Sequence, residues 1–180
     1  MTFGKPEILA TFQKLDDMVQ QPTQLCMIGS GPLICWGLPN RSTEDFDLWG
    51  PRSKISSDFV RAVTQAGMLW NPKDVVIEAN QPYWQVVHPG TVQVGGFAEP
   101  QKVWKGRNLS VVAPPWENLI ASKLVRSSPK DLEDVQWMVQ TQIFDRNKII
   151  SIMSRFKDAS LIKENLIYLD LFMQQKSPAL

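Results

Sequence analysis

The chain has 180 residues, two cysteines, a formal net charge of +1 and enough apolar residues (43%) to build a real core. That length fits one domain, or one domain with a helical appendage. The near-zero charge excludes a global electrostatic pull toward nucleic acid or membrane surfaces and leaves only local basic patches.

Cys26 and Cys35 lie in or beside apolar runs, which reads as two reduced core thiols. There is neither a bilayer-length apolar run nor a charged-then-apolar targeting pattern, so the expectation is a soluble, cytoplasmic protein. Pro6 suits the first turn of a helix, and Ile8, Leu9, Phe12, Leu15, Met18 and Val19 then recur at helical spacing. Gln24–Ile28 reads as a short strand. Pro32 opens a brief helix, Leu33–Trp36, that Gly37 stops. A loop carrying Arg41 leads into an Asp45–Trp49 strand. Ser56 or Ser57 caps a helix with an apolar face of Phe59, Val60, Val63 and Ala66, ending at Gly67. Strands follow at Val75–Ile77, Tyr83–Val87 and Thr91–Val94, with Leu109–Val112 as a further one. From Pro114 the period is helical: Trp116–Val125, Pro129–Thr141, and two helices within Asn147–Gln175 broken near Lys157–Ser160. The expected fold class is α+β, with an α/β core over residues 1–113 and a helical region over 114–180, together one compact unit.

Residues 27–49 concentrate the chemistry. Strand side chains alternate between faces, so Asp45 and Asp47 point the same way, roughly 6.5–7 Å apart along the strand. Two like charges that close are unfavourable without a cation between them. Mg²⁺ held by one or two carboxylates plus substrate phosphates resolves the conflict. The Gly29-Ser30-Gly31 turn, placed where a helix begins, suits the phosphates. Arg41 can reach a triphosphate or pair with Asp45 or Glu44. The plain alternative for the two aspartates is a solvated strand edge.

The arrangement of an apolar-Gly-Ser turn followed by apolar-flanked Asp-x-Asp resembles the signature of the DNA polymerase beta-like nucleotidyltransferase superfamily. The run Gly37, Pro39, Arg41, Thr43, Asp45, Asp47 is similar to its minimal prokaryotic branch, which contains the AbiEii and MenT toxins of toxin–antitoxin loci. A second block, from Val112 through Lys123-Leu124 and then Pro129-Lys130-Asp131-Leu132-Glu133-Asp134, is similar to that branch's second half. The likeness covers about residues 24–140.

The resemblance implies a nucleotidyltransferase-like mixed sheet with flanking helices, and a C-terminal helical bundle closing the cleft. It implies Mg²⁺-dependent transfer of a nucleotide monophosphate from a nucleoside triphosphate to a tRNA 3′ end or to a protein hydroxyl, such as a tyrosine of a cognate toxin or antitoxin partner. Asp45 and Asp47 would hold the metal, Gly29 and Ser30 would seat the β- and γ-phosphates, and Lys123 would add positive charge. Asp134 would orient Lys123 or help deprotonate the acceptor. Asp131 is an i, i+3 neighbour of Asp134, although an acid in a helix's first turn also answers to the helix dipole. The plain alternative for Lys123 is an exposed helix lysine.

One departure concerns the third carboxylate found in many members. The corresponding segment, Tyr83–Val87, offers Gln85 instead, and Glu78 beside a turn is the other candidate. This keeps a different reading open: a catalytically silent protein of the same fold that neutralises or scaffolds a partner. The lone His88 at a strand end and Trp49 beside Asp47 read as structural first.

Overall fold

Proline in the first turn fixes φ where no N–H is owed to the helix, and the chain uses this at its start. In the computed structural model, which describes residues 2–72, 81–156 and 159–176, α1 spans Lys5–Met18 and buries Ile8, Phe12, Leu15 and Asp16 along one side. The architecture is α+β, and the chain folds as two compact units. One comprises Met1–His88 and Pro100–Ala113, the other Pro89–Glu99 and Pro114–Leu180. The second unit therefore takes in a segment that the sequence reading groups with the first 113 residues.

Among the described residues, the first unit contains two three-stranded sheets. In one, β1 (Thr23–Cys26) runs parallel to β6 (Leu109–Ala113), which pairs antiparallel with β5 (Gln101–Lys105). In the other, β4 (Tyr83–Val87) lies between β2 (Asp45–Trp49) and the two-residue β3 (Leu69–Trp70), parallel to both. The residues after β1 link the sheets: Met27 N donates to Val112 O at 2.7 Å and Ile28 N to Asp47 O at 2.9 Å. Helix α2 (Gly31–Trp36) follows that link and ends at Gly37, whose φ of 108° is left-handed. Helix α3 (Ser57–Gln65) is capped by the Ser56 hydroxyl, which accepts from Phe59 N.

Alternation decides which residues of β2 and β4 are inside. Phe46 and Trp84, opposite one another in the register, are buried and stack with centroids 4.2 Å apart. Phe59 from α3 meets Trp84 edge-on at 5.3 Å, and Phe12 from α1 completes the group at 6.3 Å. Such pairs add roughly 0.5–1.5 kcal/mol each beyond burial. Asp16 ties α1 to the β5–β6 turn: Oδ1 accepts from Asn108 N and Leu109 N, and Oδ2 from Arg107 N, at 2.7–2.8 Å. A Cβ on Gly106 would run into Asp16 and Trp104, which is why glycine stands there.

The second unit is helical: α4 (Trp116–Arg126), α5 (Pro129–Thr141), α6 (Arg146–Met153) and α7 (Ala159–Gln174). Leu119, Ile120 and Leu124 of α4, Val135, Met138 and Val139 of α5, Ile149 and Met153 of α6, and Leu169 of α7 are buried. Arg146 and Asp170 join α6 to α7 through a bidentate pair at 2.8 and 2.9 Å.

Three expectations need correction or fall elsewhere. Thr91–Val94 forms no strand: Val94 is buried, its carbonyl accepts from the Asn118 side chain rather than a strand neighbour, and Gly95 (φ +76°) turns the chain. Strand β5 arises from QKVWK, whose polar residues mask it; it is an edge strand with solvent on one side. The expected strand Val75–Ile77 and Glu78 lie outside the described residues.

Candidate functional site

In the first unit, the register of β2 against β4 sets Asp45 opposite Tyr83 and Asp47 opposite Gln85. With Phe46 and Trp84 turned inward, the four polar side chains share the other face, each half-buried. Asp45 accepts from the Thr43 hydroxyl at 2.8 Å and from the Tyr83 hydroxyl at 3.3 Å. Asp47 accepts from Gln85 Nε2 at 2.6 Å. Burial, followed by the Asp45 charge and hydrogen bond, pushes the Tyr83 hydroxyl up to about 12, so it stays a donor at neutral pH.

The glycine turn lies against this face. Gly29 has φ +76°, and a Cβ there would sit 3.1 Å from Asp47 Oδ2, so backbone approaches the carboxylate as only glycine permits. Ser30 occupies the position before α2, without a cap from its own side chain. Arg41 is half-buried in the loop leading into β2.

In the second unit, Lys123 is not an exposed helix lysine. It is 3% exposed, with Nζ 2.6 Å from Asp134 Oδ2 and 3.2 Å from Asp131 Oδ1. Arg126 grips Asp131 with both ends of its guanidinium, at 3.1 and 2.7 Å. Ser128 caps α5 by accepting from Asp131 N at 3.2 Å, and its hydroxyl lies 2.7 Å from Asp131 Oδ2. Burial raises the Asp131 carboxyl, but the Arg126 hydrogen bonds and the charges of Lys123 and Arg126 outweigh it and hold the group below its ordinary value. Two cations and two carboxylates thus compensate one another between α4 and α5.

The structure therefore brings Asp45, Asp47, Gln85 and Gly29 together in one unit, and Lys123, Asp131 and Asp134 together in the other. Tyr83 and Thr43 belong with the first group although the sequence reading assigned them no role. The signal was available: Tyr83 and Gln85 alternate on β4 as Asp45 and Asp47 do on β2. Among the described residues, no three His, Cys, Asp or Glu side chains cluster closely enough to hold a metal. Among the described residues this face carries two carboxylates, a donor set suited to a hard cation that also takes oxygen ligands from a substrate.

No protein-family model matches this chain, and neither a curated protein nor a solved structure matches it.

Proposed function

We propose that the β2 face binds a nucleoside triphosphate with Mg²⁺, and that the chain is a nucleotidyltransferase of the minimal prokaryotic kind that its motifs resemble. One observation carries the reading: Asp45 and Asp47 share a half-buried face, with the Gly29 backbone against Asp47. Asp45 and Asp47 would hold the metal, which would supply neutralising charge to the triphosphate. Thr43, Tyr83 and Gln85 hold the two carboxylates in place by hydrogen bonds. Gly29 and Ser30 offer backbone N–H groups to phosphate oxygens. In the transfer, an acceptor hydroxyl would bond to the α-phosphorus and lose its proton as pyrophosphate departs. The proposed acceptor is a tRNA 3′ end or a hydroxyl of a toxin or antitoxin partner.

A second reading has a specific observation behind it. Gln85 stands in register with Asp47, where a third carboxylate is expected from the resemblance, and an amide cannot take the acceptor's proton. A silent relative that binds nucleotide or a partner without turnover fits that substitution. Lys123, buried and matched to Asp131 and Asp134, is better read as holding α4 to α5 than as a phosphate ligand.

The test is calorimetric titration of Mg²⁺ with a non-hydrolysable triphosphate, followed by incorporation from each of four α-labelled triphosphates into lysate RNA or protein. Label lost in Asp45→Asn/Asp47→Asn supports the transferase. Binding that depends on the aspartates, without label, supports the silent relative. Wild-type protein that binds no triphosphate sinks both nucleotide readings.

A further inference from the structure

The second unit carries an open pocket of about 450 Å³ between the 96–99 segment, the start of α4, and the face of α6 and the turn beyond it. Small-molecule sites fall roughly within 300–1,000 Å³. Lys148, Ser151, Ile152 and Arg155 form one stripe along this wall, at i, i+3, i+4 and i+7.

Its geometry is set before anything binds. Asn118 is fully buried, and its Nδ2 donates to Val94 O at 2.9 Å and Gly96 O at 3.3 Å, which pins the segment to α4. Gly95 then turns with φ +76°, so close to α6 that a Cβ would lie 2.8 Å from Ile152 Cγ2. Those two bonds fix which end of the amide faces the carbonyls. The other end, Asn118 Oδ1, is buried with no hydrogen-bond partner among the described residues.

The remaining wall defines what that molecule carries. Phe97 and Ile152 supply apolar surface. Lys148 is matched by Glu117 at 3.3 Å, whereas Arg155 forms no ion pair with any described carboxylate. A guanidinium at a pocket wall selects a terminal oxyanion, which it can grip at two points. Glu99, on the same wall, opposes a high negative charge and so disfavours a triphosphate.

We infer that this pocket binds a small organic molecule with one terminal carboxylate or phosphate, gripped by Arg155, and an apolar body against Phe97 and Ile152. The site is separate from the β2 face and does not depend on the function proposed there.

The experiment is an NMR titration of the ¹⁵N-labelled full chain with hippurate, which combines a carboxylate, an amide N–H and an aromatic ring. Methyl hippurate, without the charge, and phenyl phosphate are the comparison probes. Hippurate or phenyl phosphate should give saturable shifts at the Asn118 side-chain amide and the backbone amides of residues 96–99. Whichever binds more tightly identifies carboxylate or phosphate as the preferred oxyanion. Removing the charge by esterification, or Arg155→Gln at its exposed position, should weaken binding about tenfold. Ser151→Trp, which fills the pocket from an exposed helix position, should abolish the shifts while the rest of the spectrum stays in place. The inference is overturned by no saturable shift at these groups up to about 10 mM of either anion, the weak limit of specific binding. It is equally overturned if the ester binds as well as the acid, or if Arg155→Gln changes nothing.

Discussion

Replacing Lys123 by methionine separates the two roles open to it. Methionine keeps the length and apolar stem of lysine but removes the ammonium. The structure sets the cost: Asp134, 1% exposed, loses a partner 2.6 Å away, while Asp131 keeps its two bonds from Arg126. Taking one member from a buried pair costs about 3–5 kcal/mol, much of it from the carboxylate left behind. Because Arg126 still holds Asp131, about 3 kcal/mol is expected. For a chain of this size each kcal/mol moves the thermal midpoint roughly 2–4 °C, so the shift is about 6–12 °C. Far-ultraviolet circular dichroism, dominated by helices such as the four of this unit, follows the loss through urea and heat. Lys123→Met combined with Asp134→Leu should recover most of the loss, since an apolar replacement for a buried ion pair is often neutral. Triphosphate binding by folded Lys123→Met should match wild type. A single variant within about 0.5 kcal/mol of wild type, or one that keeps its stability and loses nucleotide binding, would refute the structural assignment.

The other expectations concern the first unit. Asp45→Asn/Asp47→Asn should abolish triphosphate binding with a thermal midpoint unchanged or raised, because a like-charge pair is relieved; a variant that unfolds would make these aspartates structural. Gly29→Ala should lower stability by about 1 kcal/mol for its left-handed φ and weaken triphosphate binding as well, read by urea titration and calorimetry. With Tyr168→Phe as background, Tyr83 should ionise near pH 12 by its phenolate absorbance, and adding Asp45→Asn should lower that midpoint.

Asp16→Asn should destabilise by about 2–3 kcal/mol, because burial of the carboxyl is outweighed by three backbone N–H bonds, with help from the Arg107 charge, that hold it below its ordinary value. Such a group contributes fully above about pH 4 and loses that contribution as the pH falls through its folded value. The gap between variant and wild type in urea should therefore shrink on acidification. A gap constant with pH would contradict the assignment.

What the sequence made legible follows from how local each signal is. Pro6 marks a helix start by its fixed φ and Ser56 by a bond within one turn, and those helices form near the expected residues. Alternation alone put Asp45 and Asp47 on one face of β2. The contact of Gln85 with Asp47 needed the parallel register, which no local pattern encodes, although the segment itself was identified. Lys123 shows the opposite limit. The resemblance already set Asp134 beside it, but the burial of its ammonium and its contact with Asp131 come from the packing of α4 on α5. The 91–94 run has strand-like composition, yet a single buried amide, Asn118, takes the carbonyl that a neighbouring strand would have used.

The excursion of residues 89–99 has a consequence for the order in which the chain is made. As it leaves the ribosome, β4 and then β5 and β6 emerge before α4, so the first unit has all its strands while Asn118 is still to come. The intervening segment is by then a loop tethered at both ends, its closure entropy already spent by strand pairing. Only its own dihedrals remain to be ordered when α4 arrives. A translational pause with residue 113 just clear of the ribosomal exit tunnel would accordingly hold a species with its sheets assembled and the 89–99 loop still without the amide that fixes it.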